Sequence, residues 1–176
     1  MTFSIYEALI PTLIRTLANL SEIIDKTAAQ ADSEGKDLKA LLEARLAPDM
    51  HPFTRQVQAA SDTAKGSARL AGLAVPSFPD TETTLPELKE RIAKTIEFLR
   101  SLPKETFDGS EDRTIELKMP GKSFELRGAD YLTSFVLPDF YFHVTTAYAL
   151  LRHNGINLGK VDYLGAWYGI GATGKT

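Results

Sequence analysis

Apolar residues recur along the first part of the chain at steps of three and four. Ile5, Leu9, Leu13, Leu17, Leu20 and Ile24 line one stripe of a helix running from about Ser4 to Asp25 or a little beyond. Ser4 and Glu7 form a capping box that opens it, and Pro11 removes a backbone donor inside it. Residues 31–36 are polar and predict a loop. Leu38, Leu41, Leu42 and Leu46 then predict a short helix over Asp37 to Leu46, ended by Pro48. Asp49 is placed to cap a second long helix with Pro52 in its first turn, and Phe53, Val57, Ala60, Ala64, Ala68 and Ala71 give that helix a narrow face of small residues. Gly72 to Thr83 reads as a connector. Thr84 and Glu87 cap a third helix whose stripe is Leu88, Ile92, Ile96 and Leu99, closed by Pro103.

The period then changes from 3.6 to 2. Ile115, Leu117 and Met119, followed by Phe124 and Leu126, alternate with polar residues around Pro120-Gly121. This predicts a β-hairpin pairing Leu117 with Phe124 and Ile115 with Leu126, through a four-residue loop, because a Pro-Gly type II turn suits a two-residue hairpin poorly. A fourth long helix is expected from about Asp130 to His153, with Asn154-Gly155 as its stop. It is crowded with aromatic residues and carries apolar groups on nearly every side, as a helix does that is central in a bundle or covered by a second subunit. The whole pattern predicts an all-α protein, an up-down-type four-helix bundle with a small hairpin before the last long helix. Residues 1–165 form one domain on this reading, and 166–176 a flexible glycine-rich tail.

Composition narrows the chemistry. At 176 residues with 43% hydrophobic and 24% charged positions, the chain is a globular domain with a core of its own. It has no cysteine, which excludes disulfides, thiolate metal sites and a cysteine nucleophile. A net charge of −3 gives no basis for nucleic-acid binding. The absence of a long apolar run or a signal-like start leads to the expectation of a cytoplasmic protein with no membrane segment.

Between Asp130 and Arg152 the only charged or imidazole side chains are Asp139 and His143, four positions apart and thus on one helix face. An acid and an imidazole alone in an aromatic helix carry a desolvation cost that something must offset. Two readings stand: a site for a divalent metal or small polar ligand, or a buried hydrogen bond with no ligand, in a homodimer whose second copy covers the aromatic helix. His153 lies about 15 Å along the axis from His143 and is accounted for by the helix dipole. His51 could face the cavity or the solvent, and Gln56 reads as an ordinary polar position. Gly169 to Thr176 spells G-x-x-x-x-G-K-T, but no helix follows it, so nucleotide binding is not assigned. No serine sits in a nucleophile elbow.

The order of elements, with the stretches Leu46-Ala47-Pro48-Asp49-Met50, Gln56-Val57, Asp139 to His143, Tyr148 to Gly155 and Leu158-Gly159-Lys160, resembles the DinB-like superfamily of four-helix bundles, and more narrowly a bacterial branch catalogued as a domain of unknown function. The resemblance spans residues 3 to 165. It implies the bundle fold. Metal-binding members of that superfamily use one histidine on the second helix and an H-x-x-x-H pair near the end of the bundle, and several are thiol-dependent transferases or isomerases. Here His143 falls on the second histidine of the pair, Asp139 replaces the first, and Gln56 falls at or near the helix-two position, with His51 offset by more than a turn. The implied metal site (zinc, nickel or manganese) thus has His143 and Asp139 as ligands, joined by His51 if it swings inward, or by Gln56.

Overall fold

The structure, a computed structural model, describes residues 4–119 and 121–165. Helix α1 (Ile5–Glu34) starts where expected, the Ser4 hydroxyl accepting from the Glu7 N–H. It runs about nine residues further than the stripe alone predicted, however, and the expected loop at 31–36 is almost all helix. Ala31 is buried and continues the core face. The helix stops only at Gly35, whose φ of 65° is open to glycine and whose N–H donates to the Ala31 carbonyl. Helix α2 (Leu38–Glu43) is capped by Asp37 and ends short of Leu46, which is exposed.

Helix α3 (Phe53–Gly66) departs from expectation at its start. Pro52 occupies the cap position, no side chain caps the first turn, and the Phe53 N–H reaches back to the Ala44 carbonyl. The small-residue face is as predicted: Phe53, Val57, Ala60 and Ala64 are fully buried, and the face continues through Ala68 in the 3₁₀ turn Ser67–Ala71. Ala64→Leu should therefore overpack the α3 seam. We expect a loss of about 2 kcal/mol, read from the urea midpoint of unfolding. Helix α4 (Leu85–Ser101) opens with the predicted capping box, the Thr84 N–H donating to Glu87 at 2.9 Å.

Strands β1 (Thr114–Met119) and β2 (Lys122–Arg127) pair antiparallel in the predicted register, Leu117 opposite Phe124 and Ile115 opposite Leu126. The connection is tighter than expected. Pairing continues to Met119 opposite Lys122, leaving two positions between the strands, with Gly121 at a φ of 75°. Ile115 and Leu117 face the core while Phe124 is exposed.

The last long helical stretch is built in three parts: α5 (Gly128–Tyr131), a π turn (Leu132–Val136) and α6 (Leu137–His153). Pro138 has no N–H to give the Ser134 carbonyl, and just before it the Leu137 N–H donates to Leu132, five residues back. The buried residues record the extra position: Tyr131 is followed by Val136, five on, and then by Phe140, Val144, Ala147 and Leu151 at ordinary helical steps. The helix is not buried all round. Ser134, Pro138, Phe142 and Thr145 form an exposed outer side, with Phe142 54% accessible.

Around the bundle the packing order is α1, α4, α3, α6. Helices α1 and α3 thus stand on one diagonal and α4 and α6 on the other. The segment carrying α2 and the one carrying the hairpin each connect diagonal partners. Helix α7 (Lys160–Leu164), not anticipated from the glycine-rich sequence after Ile156, docks on α1: Asn19 donates to the Tyr163 carbonyl and Lys26 pairs with Asp162. The glycine-rich tail predicted at 166–176, including the G-x-x-x-x-G-K-T match, lies outside the described residues. Among the described residues, no helix is long and apolar enough to cross a membrane.

Candidate functional site

The seam between α3 and α6 brings four polar side chains together. On α6, Asp139 and His143 are one turn apart, with the Asp139 Oδ1 atom 3.5 Å from His143 Nε2. On α3, Gln56 and Thr63 are seven residues apart, two turns along the same face. The Gln56 Oε1 atom lies 2.7 Å from His143 Nδ1, and the Thr63 hydroxyl donates to Asp139 Oδ2. Lower numbers on α3 meet higher numbers on α6, so the two helices run antiparallel here. Each end of the acid–imidazole pair is held from behind by a different residue of α3.

The pair is neither sealed nor free in solvent. The His143 side chain is 13% accessible and that of Asp139 33%. Gln56 is buried at 1%, which overturns its reading as an ordinary solvated position. Its amide nitrogen donates to the His51 carbonyl at 3.1 Å. The His143 imidazole beside it holds the Asp139 carboxyl below the usual range; burial opposes this, and the Thr63 hydroxyl adds to it. Asp139 is therefore an anion at neutral pH.

Two of the candidates fall away as direct ligands. The His51 side chain is exposed, and that residue reaches the site only through its backbone carbonyl. In this structure the His51 imidazole faces outward while its carbonyl accepts from Gln56 in the turn before α3. The Gln56 oxygen points at the imidazole, so it acts on His143 and does not stand beside it as a ligand. Among the described residues no group of three His, Asp or Glu side chains could hold a metal. His153 is exposed at the far end of α6. Thr63 was missed by the sequence reading. The signal that could have found it is its seven-residue spacing from Gln56 on a face otherwise made of alanine and valine.

A separate cavity of about 180 Å³ is lined by Phe78, Pro79, Glu82 and Arg91 among others, and none of the four seam residues borders it.

Residues 5–164 match the family described as a domain of unknown function, DUF1993. The chain belongs to that family. It is also similar to a solved structure, the crystal structure at 1.83 Å resolution of a DinB family member protein from Shewanella denitrificans, with 40% identity, a TM-score of 0.86, and coverage of 97% of this chain and 95% of that one. Comparison with curated proteins finds no match. The DinB-like bundle expected from the sequence is thus the fold of this chain, and its family is one whose function is open.

Proposed function

We propose that the chain binds one exchangeable divalent cation of the zinc, nickel or manganese class through His143 Nε2 and Asp139 Oδ1, leaving the other coordination positions to water or a small polar ligand. The observation that supports this is the facing of those two atoms at 3.5 Å while Gln56 and Thr63 hold the opposite sides of the same groups. The separation is wider than a good hydrogen bond of about 2.8 Å. The gap instead matches the roughly 3.4 Å edge of a tetrahedron whose centre lies about 2.1 Å from each donor. The carboxylate is anionic, and an imidazole nitrogen beside it suits borderline metals. Two protein donors are one short of an ordinary catalytic centre, so the ion exchanges readily. A bound cation would supply charge to polarise a ligand oxygen; Asp139 and His143 would orient it and α3 would hold both.

The test is thermal unfolding of untagged protein with and without Zn²⁺, Ni²⁺ or Mn²⁺. At a concentration a hundred times the Kd, a ligand adds about 2.7 kcal/mol, a rise in Tm of roughly 5–10 °C for a chain of this size. His143→Ala and Asp139→Asn should each remove that rise. The competing reading is a homodimer in which the pair is only structural; it expects a dimer by light scattering and no response to any of the ions. That combination would overturn the proposal.

A further inference from the structure

We propose that Gln56 is a positioning residue that fixes the tautomer of His143, so that Nδ1 always carries a hydrogen and Nε2 is the one ring nitrogen able to take a ligand or exchange a proton. The argument follows donors and acceptors from the backbone outward. The His51 carbonyl can only accept, so the Gln56 group facing it at 3.1 Å is the NH₂. That fixes the amide orientation and turns Oε1, again an acceptor only, toward His143 Nδ1 at 2.7 Å. A bare Nδ1 at that distance would set two lone pairs against each other, and flipping the amide would merely move the clash to the His51 carbonyl. Nδ1 must therefore be N–H. Gln56 is 1% exposed, so water is not available to relieve either conflict.

The consequence is chemical. Histidine in water prefers the other neutral tautomer, with the hydrogen on Nε2. Left to that preference, His143 would aim an N–H at Asp139 and the opening, where no cation could use it. With Gln56 in place the imidazole lone pair lies on the side of the ring where Asp139 Oδ1 is 3.5 Å away, two acceptors that a cation between them would reconcile. This supplies the hydrogen bond that metal-ligating imidazoles commonly make through the second nitrogen. The affinity consequence rests on the cation-binding reading; the tautomer rests on the hydrogen bonds alone.

The experiment is a long-range ¹H–¹⁵N correlation spectrum of the full chain, taken at a pH high enough that the His143 ring is neutral, with ZnCl₂ titration alongside. The wild type should show protonated Nδ1 and bare Nε2. Gln56→Met should shift the ring toward Nε2–H and weaken Zn²⁺ binding about 10- to 100-fold. A neutral wild-type ring with its hydrogen on Nε2 would overturn the proposal. So would a folded Gln56→Met protein with an unchanged ring pattern. Should Gln56→Met fail to fold, the wild-type spectrum still decides. An Nδ1–H ring in a protein that takes up no Zn²⁺ would uphold the tautomer and sink the cation reading.

Discussion

Replacing Gly128 with alanine is expected to cost about 3 kcal/mol of stability and to lower Tm by roughly 6–12 °C. Gly128 sits at the junction of β2 and α5, where its N–H donates to the Arg113 carbonyl at 2.7 Å. A Cβ built there would lie 1.8 Å from the Ser110 carbonyl oxygen, 3.0 Å from its carbon and 3.3 Å from Leu70. The obstacle is backbone, so no rotamer change can clear it. Either the turn at 108–112 moves by more than an ångström or the hairpin separates from α5. Both routes strain the same place, because Arg113 also reaches back to the Leu70 and Thr106 carbonyls. Hydrogen exchange distinguishes them: detachment of the hairpin would deprotect β1 and β2 alone, whereas a shifted turn would also loosen the start of α5. An alanine variant as stable as the wild type would show that the close approach is not maintained in solution. Glycine is required here by space, not by φ, in contrast to Gly35 and Gly121.

How much of this was legible in the sequence follows from the range of each interaction. Stripes such as Leu88, Ile92, Ile96 and Leu99, the Thr84–Glu87 box and the period change at Ile115 are local signals, and they located the helices and the hairpin register. The length of α1 was missed because Asp32, Ser33 and Glu34 lie on its solvent side, where polarity says nothing about helix or loop. The π turn was missed although its trace is present: Val136, Phe140, Val144, Ala147 and Leu151 form a regular stripe offset by five from Tyr131. Reading one straight helix through both sets made every side look apolar. Asp139 and His143 stood out because no other side chain between Asp130 and Arg152 is charged. Their supports did not, since the pairings of Gln56 with His143 and Thr63 with Asp139 join residues 87 and 76 positions apart. Composition carries no trace of such a pairing.

The same long range hides the second large effect, the loss of Arg91. Its side chain is 1% accessible, an unusual place for a guanidinium, and it meets three carboxylates: Asp62 at 2.7 Å, Asp80 at 3.0 Å and Glu82 at 3.0 Å. It also donates to the Pro79 carbonyl, while Lys65, equally buried, donates to that of Pro76 and lies 3.8 Å from the centre of the Phe78 ring. These buried cations pin residues 73–84, a segment without helix or strand whose carbonyls need partners. Arg91→Met keeps much of the packing and removes the charge. We expect a loss of about 3 kcal/mol, at the low end for breaking a buried pair, because Asp62 and Asp80 rehydrate readily while Glu82, 11% accessible, does so far less. The pH dependence identifies the cause. Burial acts to raise the Glu82 pKa, but hydrogen bonds from Arg91 and Gln58 outweigh it and hold the folded value below the ordinary 4.5. The stability from this contact is therefore fully present above about pH 4.5 and drains away as the pH falls through the lowered folded value. The gap between wild type and Arg91→Met in urea midpoints should be wide at pH 7 and clearly narrower near pH 3. A gap that stays constant across that range would mean that Arg91 stabilises the segment through packing and the Pro79 hydrogen bond, with its charge contributing little.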